Sequence, residues 1–109
     1  MALTPLTFDI LLTLVGETRH GYGIIREIEA RSGPESAPST GALYLALQRL
    51  EAEGLIEEDD GRRPAGEDRR RRYYRVTRRG REAAVEEANR LAGLVSAARR
   101  KKLLSGERA

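Results

Sequence analysis

The segment that most restricts the fold runs from Pro38 to Thr77. It opens with Pro38-Ser39-Thr40-Gly41-Ala42-Leu43-Tyr44, repeats leucine at 43, 47 and 50, and reaches Gly54-Leu55-Ile56 before a stretch dense in arginine. Leucines at steps of four and three predict a helix with one face turned to a core, with Ala46 on the same side. Ser39 or Ser36 is placed to cap its start, and Gly54 suits the left-handed residue that ends a helix. Thr40, Tyr44, Gln48 and Arg49 lie largely off the leucine face. Leu55-Ile56 then begins a strand. A second strand follows over Arg71 to Thr77, where Arg72, Tyr74 and Val76 point one way and Arg71, Tyr73 and Arg75 the other. The two strands make an antiparallel hairpin around a loop that holds Gly61, Pro64 and Gly66 together with Arg62, Arg63, Arg69 and Arg70. A helix followed at once by a basic hairpin is the pattern of a winged helix-turn-helix.

Upstream, Thr4 can cap a first helix whose first position is Pro5, where the missing N–H costs nothing. Leu6, Ile10, Leu11 and Leu14, with Phe8 and Leu12 beside them, continue it toward Gly16. After a turn at Glu17-Thr18-Arg19, His20-Gly21-Tyr22-Gly23 leads into a second helix carrying Ile24, Ile25 and Ile28, which runs out at Ser32-Gly33-Pro34. Downstream, Thr77 caps a final helix expected from about Arg78 to Leu104. Its apolar positions Ala84, Ala88, Leu91, Val95 and Ala98 form a seam of alternating four- and three-residue steps. Such a helix would be about 40 Å long, more than a small core covers. A second copy of the chain is the simplest partner, the alternative being a helix folded back on its own domain. The fold class expected is therefore mainly α with a small β-hairpin wing. Residues 1–77 form the winged helix-turn-helix, and residues 78–109 a dimerisation helix and tail.

Charge is concentrated along the chain. Residues 1–60 hold four basic against eleven acidic side chains and residues 61–109 sixteen against six, so the halves carry −7 and +10. Arginine outnumbers lysine by 18 to 2, which base composition can explain, but its placement between 61 and 81 is not explained that way. The chain has no cysteine, which removes disulfides, thiol chemistry and cysteine-ligated metals and fits a reducing cytoplasm. The apolar run Ile10 to Val15 is too short to span a bilayer, and Met1 to Asp9 lacks the basic residues of a signal peptide. His20 is the single histidine and has no partner at ligand spacing. Gly21-Tyr22-Gly23 lacks the pattern of a phosphate loop. No catalytic residue, metal site or cofactor is expected, and membranes are not a partner.

Double-stranded DNA is the expected partner. Ser39, Thr40 and Gly41 allow close backbone approach at a helix N-terminus that attracts phosphate. Tyr44 can lie along the sugar-phosphate chain or be a half-buried core ring. Gln48 suits adenine and Arg49 guanine, although Arg49 can instead pair with Glu53 four residues on. Arg62, Arg63, Arg69, Arg70, Arg71 and Arg72 of the wing would sit on phosphate or in the minor groove, giving affinity and salt dependence with little sequence choice.

Taken together, Leu3-Thr-Pro-Leu6, His20-Gly-Tyr22, Thr40-Gly-Ala-Leu-Tyr44, Leu47-Gln-Arg-Leu-Glu51, Glu53-Gly-Leu-Ile56 and Arg72-Tyr-Tyr-Arg-Val-Thr77 with Gly80 resemble the PadR family of transcriptional regulators, in its short subgroup with one C-terminal helix. The resemblance implies a homodimeric repressor on a pseudo-palindromic operator, third helices in successive major grooves, wings alongside, and the last helix in the dimer interface. It also implies release of DNA by a small-molecule effector, for which Phe8, Leu91 and Val95 are the candidate pocket. With no Trp and a single Phe, the usual aromatic sandwich lacks its residues. The family position after Leu-Tyr is often basic, and here it is Leu45. The competing readings are a winged-helix module that binds another protein and a nonspecific nucleic-acid-binding module.

Overall fold

The computed structural model describes residues 3–59 and 72–105. Helix α1 spans Pro5–Leu14 and begins in a capping box. The Thr7 amide donates to Thr4 Oγ1 (3.1 Å) while the Thr4 amide donates to Thr7 Oγ1 (2.8 Å), so two otherwise orphaned N–H groups are satisfied reciprocally. A two-residue strand β1, Arg19–His20, leads into α2, Gly21–Ser32. A 3-10 turn at Pro34–Ser36 connects it to α3, Thr40–Ala52. Strands β2, Ile56–Glu58, and β3, Tyr73–Val76, precede the long helix α4, Arg78–Arg100.

The core sits where α1, α2 and α3 meet the sheet. Ile10, Leu11, Leu14, Ile24, Ile28, Leu43, Leu47, Leu50 and Ile56 are fully buried, joined by Leu55, Tyr74 and Ala84. Every predicted core leucine of the third helix is among them. Truncating any of these aliphatic side chains to Ala would cost about 2–5 kcal/mol, a large share of the stability of a chain this small.

The junction between α3 and α4 is closely packed and hydrogen-bonded. Gly54 adopts φ +75, and the amides of Gly54 and Leu55 donate to the carbonyls of Glu51 and Leu50 (3.0 and 2.9 Å). This is a Schellman closure, with Leu55 folding back on Leu50. The Leu55 carbonyl in turn accepts from the Thr77 amide (3.0 Å). Thr77 Oγ1 donates to the Gly54 carbonyl (2.6 Å) and accepts from the Gly80 amide (3.0 Å), so one hydroxyl both caps α4 and ties it to the end of α3.

The structure corrects the expected strands and the end of the last helix. Arg19 belongs to β1 and not to a turn. Arg19 and His20 pair antiparallel with Tyr74 and Tyr73, so the described sheet has three strands in the order β1-β3-β2 rather than two. This third strand also explains why Tyr73, expected to face away with Arg75, is buried: the His20 ring meets it edge-on at 5.2 Å. The last helix stops at Arg100, short of Leu104. Lys102 takes φ +61, and the amides of Lys102 and Leu103 donate to Arg99 and Ala98 carbonyls (both 3.0 Å), a second Schellman closure made without glycine. The second strand covers Tyr73–Val76 only, because Thr77 leaves it to become the α4 cap.

Candidate nucleic-acid interface

The core fixes which side of α3 is left outside. With Leu43, Leu47 and Leu50 buried, the opposite face carries Gly41, Leu45, Gln48 and Ala52, since these follow one another at helical spacing. Leu45 stands at its centre and is 69% exposed. Ser39 Oγ accepts from the Ala42 amide (3.1 Å), which leaves the amides of Thr40 and Gly41 as the first-turn donors with no helical carbonyl to reach. A Cβ built on Gly41 would meet nothing within 4 Å, so the space in front of the helix start is open. Thr40 and Ser39 are both exposed.

Tyr44 is packed on one side and open on the other. Its ring lies against the first turn of α2, where a Cβ on Gly21 would come within 2.8 Å of Tyr44 Cζ, yet 43% of the residue remains exposed. A side chain at position 21 would therefore push the Tyr44 ring from its place against α2. Beneath it, burial pushes the Tyr74 phenol up from its ordinary range, with Glu51 adding to the shift. Gln48 is exposed on the outward face. Arg49 lies at its flank, and its Nε is 3.5 Å from Glu53 Oε2. In the wing, Arg72 is 67% exposed and 3.9 Å from Glu58 Oε1. Arg62, Arg63, Arg69, Arg70 and Arg71 lie outside the described residues. The acidic run Glu57 to Asp59 is spent across the strands, since Arg75 pairs with Glu57 (2.8 Å) and Asp59 (3.7 Å).

Two residues of α2, Tyr22 and Arg26, were not singled out in the sequence as interacting residues. Tyr22, in the first turn of α2, is 55% exposed and stacks on His20 with ring planes 8° apart. The Arg26 NH1 group donates to its hydroxyl (3.1 Å), and the guanidinium lies 5.7 Å from the ring centre, an arrangement that pushes the Arg26 pKa up. The signal available was the i, i+4 spacing of an aromatic and an arginine. His20 itself caps α2, accepting from the Gly23 amide on Nδ1 (3.0 Å).

Helix α4 is about 34 Å long at 1.5 Å per residue, and only Gly80, Ala84 and Glu87 along it are buried. Of the predicted seam, Ala84 packs on the core and Leu91 is half-buried, whereas Ala88 and Val95 are exposed, with Val85 and Leu94 on either side also exposed. Phe8 packs partly against the core. Phe8, Leu91 and Val95 do not line the cavity of about 640 Å³ between the start of α1 and α4. Its walls are Leu3, Leu55 and Ala83 with Glu53, Arg79, Glu82, Glu86, Glu87 and Arg90. Arg90 holds the Glu87 carboxylate through two hydrogen bonds (2.6 and 2.8 Å) and lowers its pKa. No helix among the described residues is long and apolar enough to cross a membrane.

Residues 10–86 match the model of the transcriptional regulator PadR-like family. A PadR-like transcriptional regulator of Bacillus cereus is 30% identical and superposes with a TM-score of 0.71, covering 94% of this chain and 93% of that one. The RosR protein of H. salinarum is 31% identical, with a TM-score of 0.67 over 84% of this chain and 76% of that one. An uncharacterised 37.1 kDa protein in a transposon of Streptomyces fradiae is 40% identical over 85 residues, which are 78% of this chain and 22% of that protein. A Lysinibacillus sphaericus protein is 34% identical over 71 residues, 65% of this chain and 63% of its own length. The chain therefore spans less than two thirds of either of these two relatives.

Proposed function

The chain belongs to the PadR-like family of transcriptional regulators, and from that premise we propose that it acts in the cytoplasm as a homodimeric repressor of a pseudo-palindromic operator. It is a DNA-binding regulator and not an enzyme. The observation that carries the finer reading is the outward face of α3, whose first turn presents the Thr40 and Gly41 amides ahead of the helical ladder and an open Gly41, with Tyr44 one turn on. Amides at a helix start attract phosphate, and a glycine lets the backbone come close. Ser39, Thr40, Gly41 and Tyr44 would seat the helix on the strand, and Gln48 would read a base edge. Arg49, Arg72 and the arginines at 62, 63, 69, 70 and 71 would add phosphate contacts.

The dimer reading is supported by the exposed seam residues Ala88 and Val95 of α4, flanked on opposite edges by Val85 and Leu94, which are also exposed among the described residues. A second α4 would cover them through the seam at Ala84, Ala88, Leu91, Val95 and Ala98, which assigns residues 78–109 to dimerisation and residues 1–77 to DNA. A small-molecule effector would enter near Phe8, Leu91 and Val95, at the edge of that interface. Two α3 helices related by a twofold axis require half-sites about 34–36 Å apart, one turn of duplex. Selection from random duplexes at about 0.15 M salt, with molar mass measured in the same buffer, tests this reading. A dimer that enriches one palindrome supports it. A monomer, or uniform binding to all duplexes, overturns it.

A further inference from the structure

The centre of the α3 outer face is aliphatic. Leu45 is the most exposed residue of that helix among its large apolar side chains, at 69%. One turn before it stand Gly41 and Ala42, both exposed and too small to hold a groove wall away, and Gly41 has nothing within 4 Å of a would-be Cβ. One turn after it stand Gln48, which can hydrogen-bond, and Arg49, which is drawn to the flank by Glu53. A surface laid against DNA in this way offers a methyl-rich knob where a polar or charged side chain would otherwise stand. The major groove edge presents one apolar group, the C5-methyl of thymine, and everything else is donor or acceptor. A cytosine amine or guanine acceptors facing Leu45 would lose water without gaining a partner.

Resting on the DNA-binding reading above, we infer that Leu45 is a specificity-determining residue that packs on a thymine methyl at one position of each half-site. Gln48, one turn further along the same face, then meets a neighbouring base pair, where an adenine suits its amide. The half-site therefore contains a thymine whose methyl, and not its hydrogen-bonding edge, is read.

The test uses the full chain and the palindrome it selects. Each thymine of the half-site is replaced in turn by deoxyuridine, symmetrically in both half-sites, and affinity is read by fluorescence anisotropy at fixed salt. One methyl is worth about 0.8 kcal/mol, or roughly fourfold, so the loss at the Leu45 position is about 15-fold for two half-sites. In the Leu45→Ala variant, which keeps a good helix former at an exposed site, that penalty falls to near onefold. In Gln48→Ala it persists. A half-site in which no deoxyuridine weakens binding, or a penalty that Leu45→Ala leaves unchanged, overturns the inference while the DNA-binding reading stands. If the wild-type chain enriches no duplex at all, the reading itself fails and the inference falls with it.

Discussion

Replacing Gly80 by alanine should destabilise the protein although it puts a better helix former into a helix. On propensity alone the change gains up to about 1 kcal/mol. Gly80, however, lies in the first turn of α4 directly on the Leu55 carbonyl, and a Cβ there would run into that backbone oxygen and come within 2.8 Å of Val76 Cγ2. A backbone carbonyl cannot swing aside as a side-chain tip can. The helix start must lift, and lifting it stretches the Thr77 amide to Leu55 carbonyl bond and the Thr77 Oγ1 to Gly54 carbonyl bond. Overpacking of this kind costs about 1–3 kcal/mol, and each weakened hydrogen bond up to about 1 kcal/mol more. The net expectation is a loss of about 2 kcal/mol. Gly93 in the same helix supplies the contrast, since a Cβ there meets nothing within 4 Å and Gly93→Ala should gain about 0.5–1 kcal/mol. Urea unfolding at one fixed protomer concentration separates the two, with the midpoint of Gly80→Ala falling by about 1 M and that of Gly93→Ala rising. A Gly80→Ala variant as stable as wild type would refute the close approach of α4 to Leu55.

Gly41→Ala should leave urea stability unchanged or slightly higher, because the site is open, while weakening operator binding about fivefold per half-site, the worth of one hydrogen bond to phosphate, or about 25-fold for the dimer; anisotropy titration checks this. Val95→Asp should keep the protomer folded, since Val95 is 45% exposed, but convert the dimer to a monomer by light scattering. Thr77→Val removes both the α4 cap and the tie to Gly54 and should cost about 1–2 kcal/mol in urea. The Glu87 carboxyl is held below its ordinary pKa by Arg90. Its contribution to stability is therefore fully present above the unfolded value of about 4.3 and is lost as pH falls through the lower folded value. Glu87→Gln should flatten that acid limb when unfolding is followed against pH.

Much of the fold is locally encoded, because helix ends and amphipathic faces depend on residues a few positions apart. Thr4, Ser39 and Thr77 cap their helices, Gly54 closes α3, and the leucines at 43, 47 and 50 face inward, all as their spacing implies. The charge break near residue 60 and the over-long last helix are likewise plain from composition and length. Other features have no local signal. Strand β1 is two residues long and carries no alternation, so it exists only because β3 offers it an edge. The α4 stop at Arg100 depends on Lys102 entering a conformation that favours glycine.

The candidate site divides in the same way. Sequence spacing separates Tyr44 and Gln48 from the leucine face. Only the packed structure sets Tyr44 on Gly21 and leaves Leu45 at the centre of the open face, whereas Arg49 pairs with Glu53 as their i, i+4 spacing allows. The sequence by itself determined the helices, their caps and the side of each that seeks a core, since these are set by neighbours within a turn or two. The tertiary structure alone decided which glycines are indispensable and which side chains stand free to meet another molecule, because close approach and exposure are properties of segments far apart in the chain.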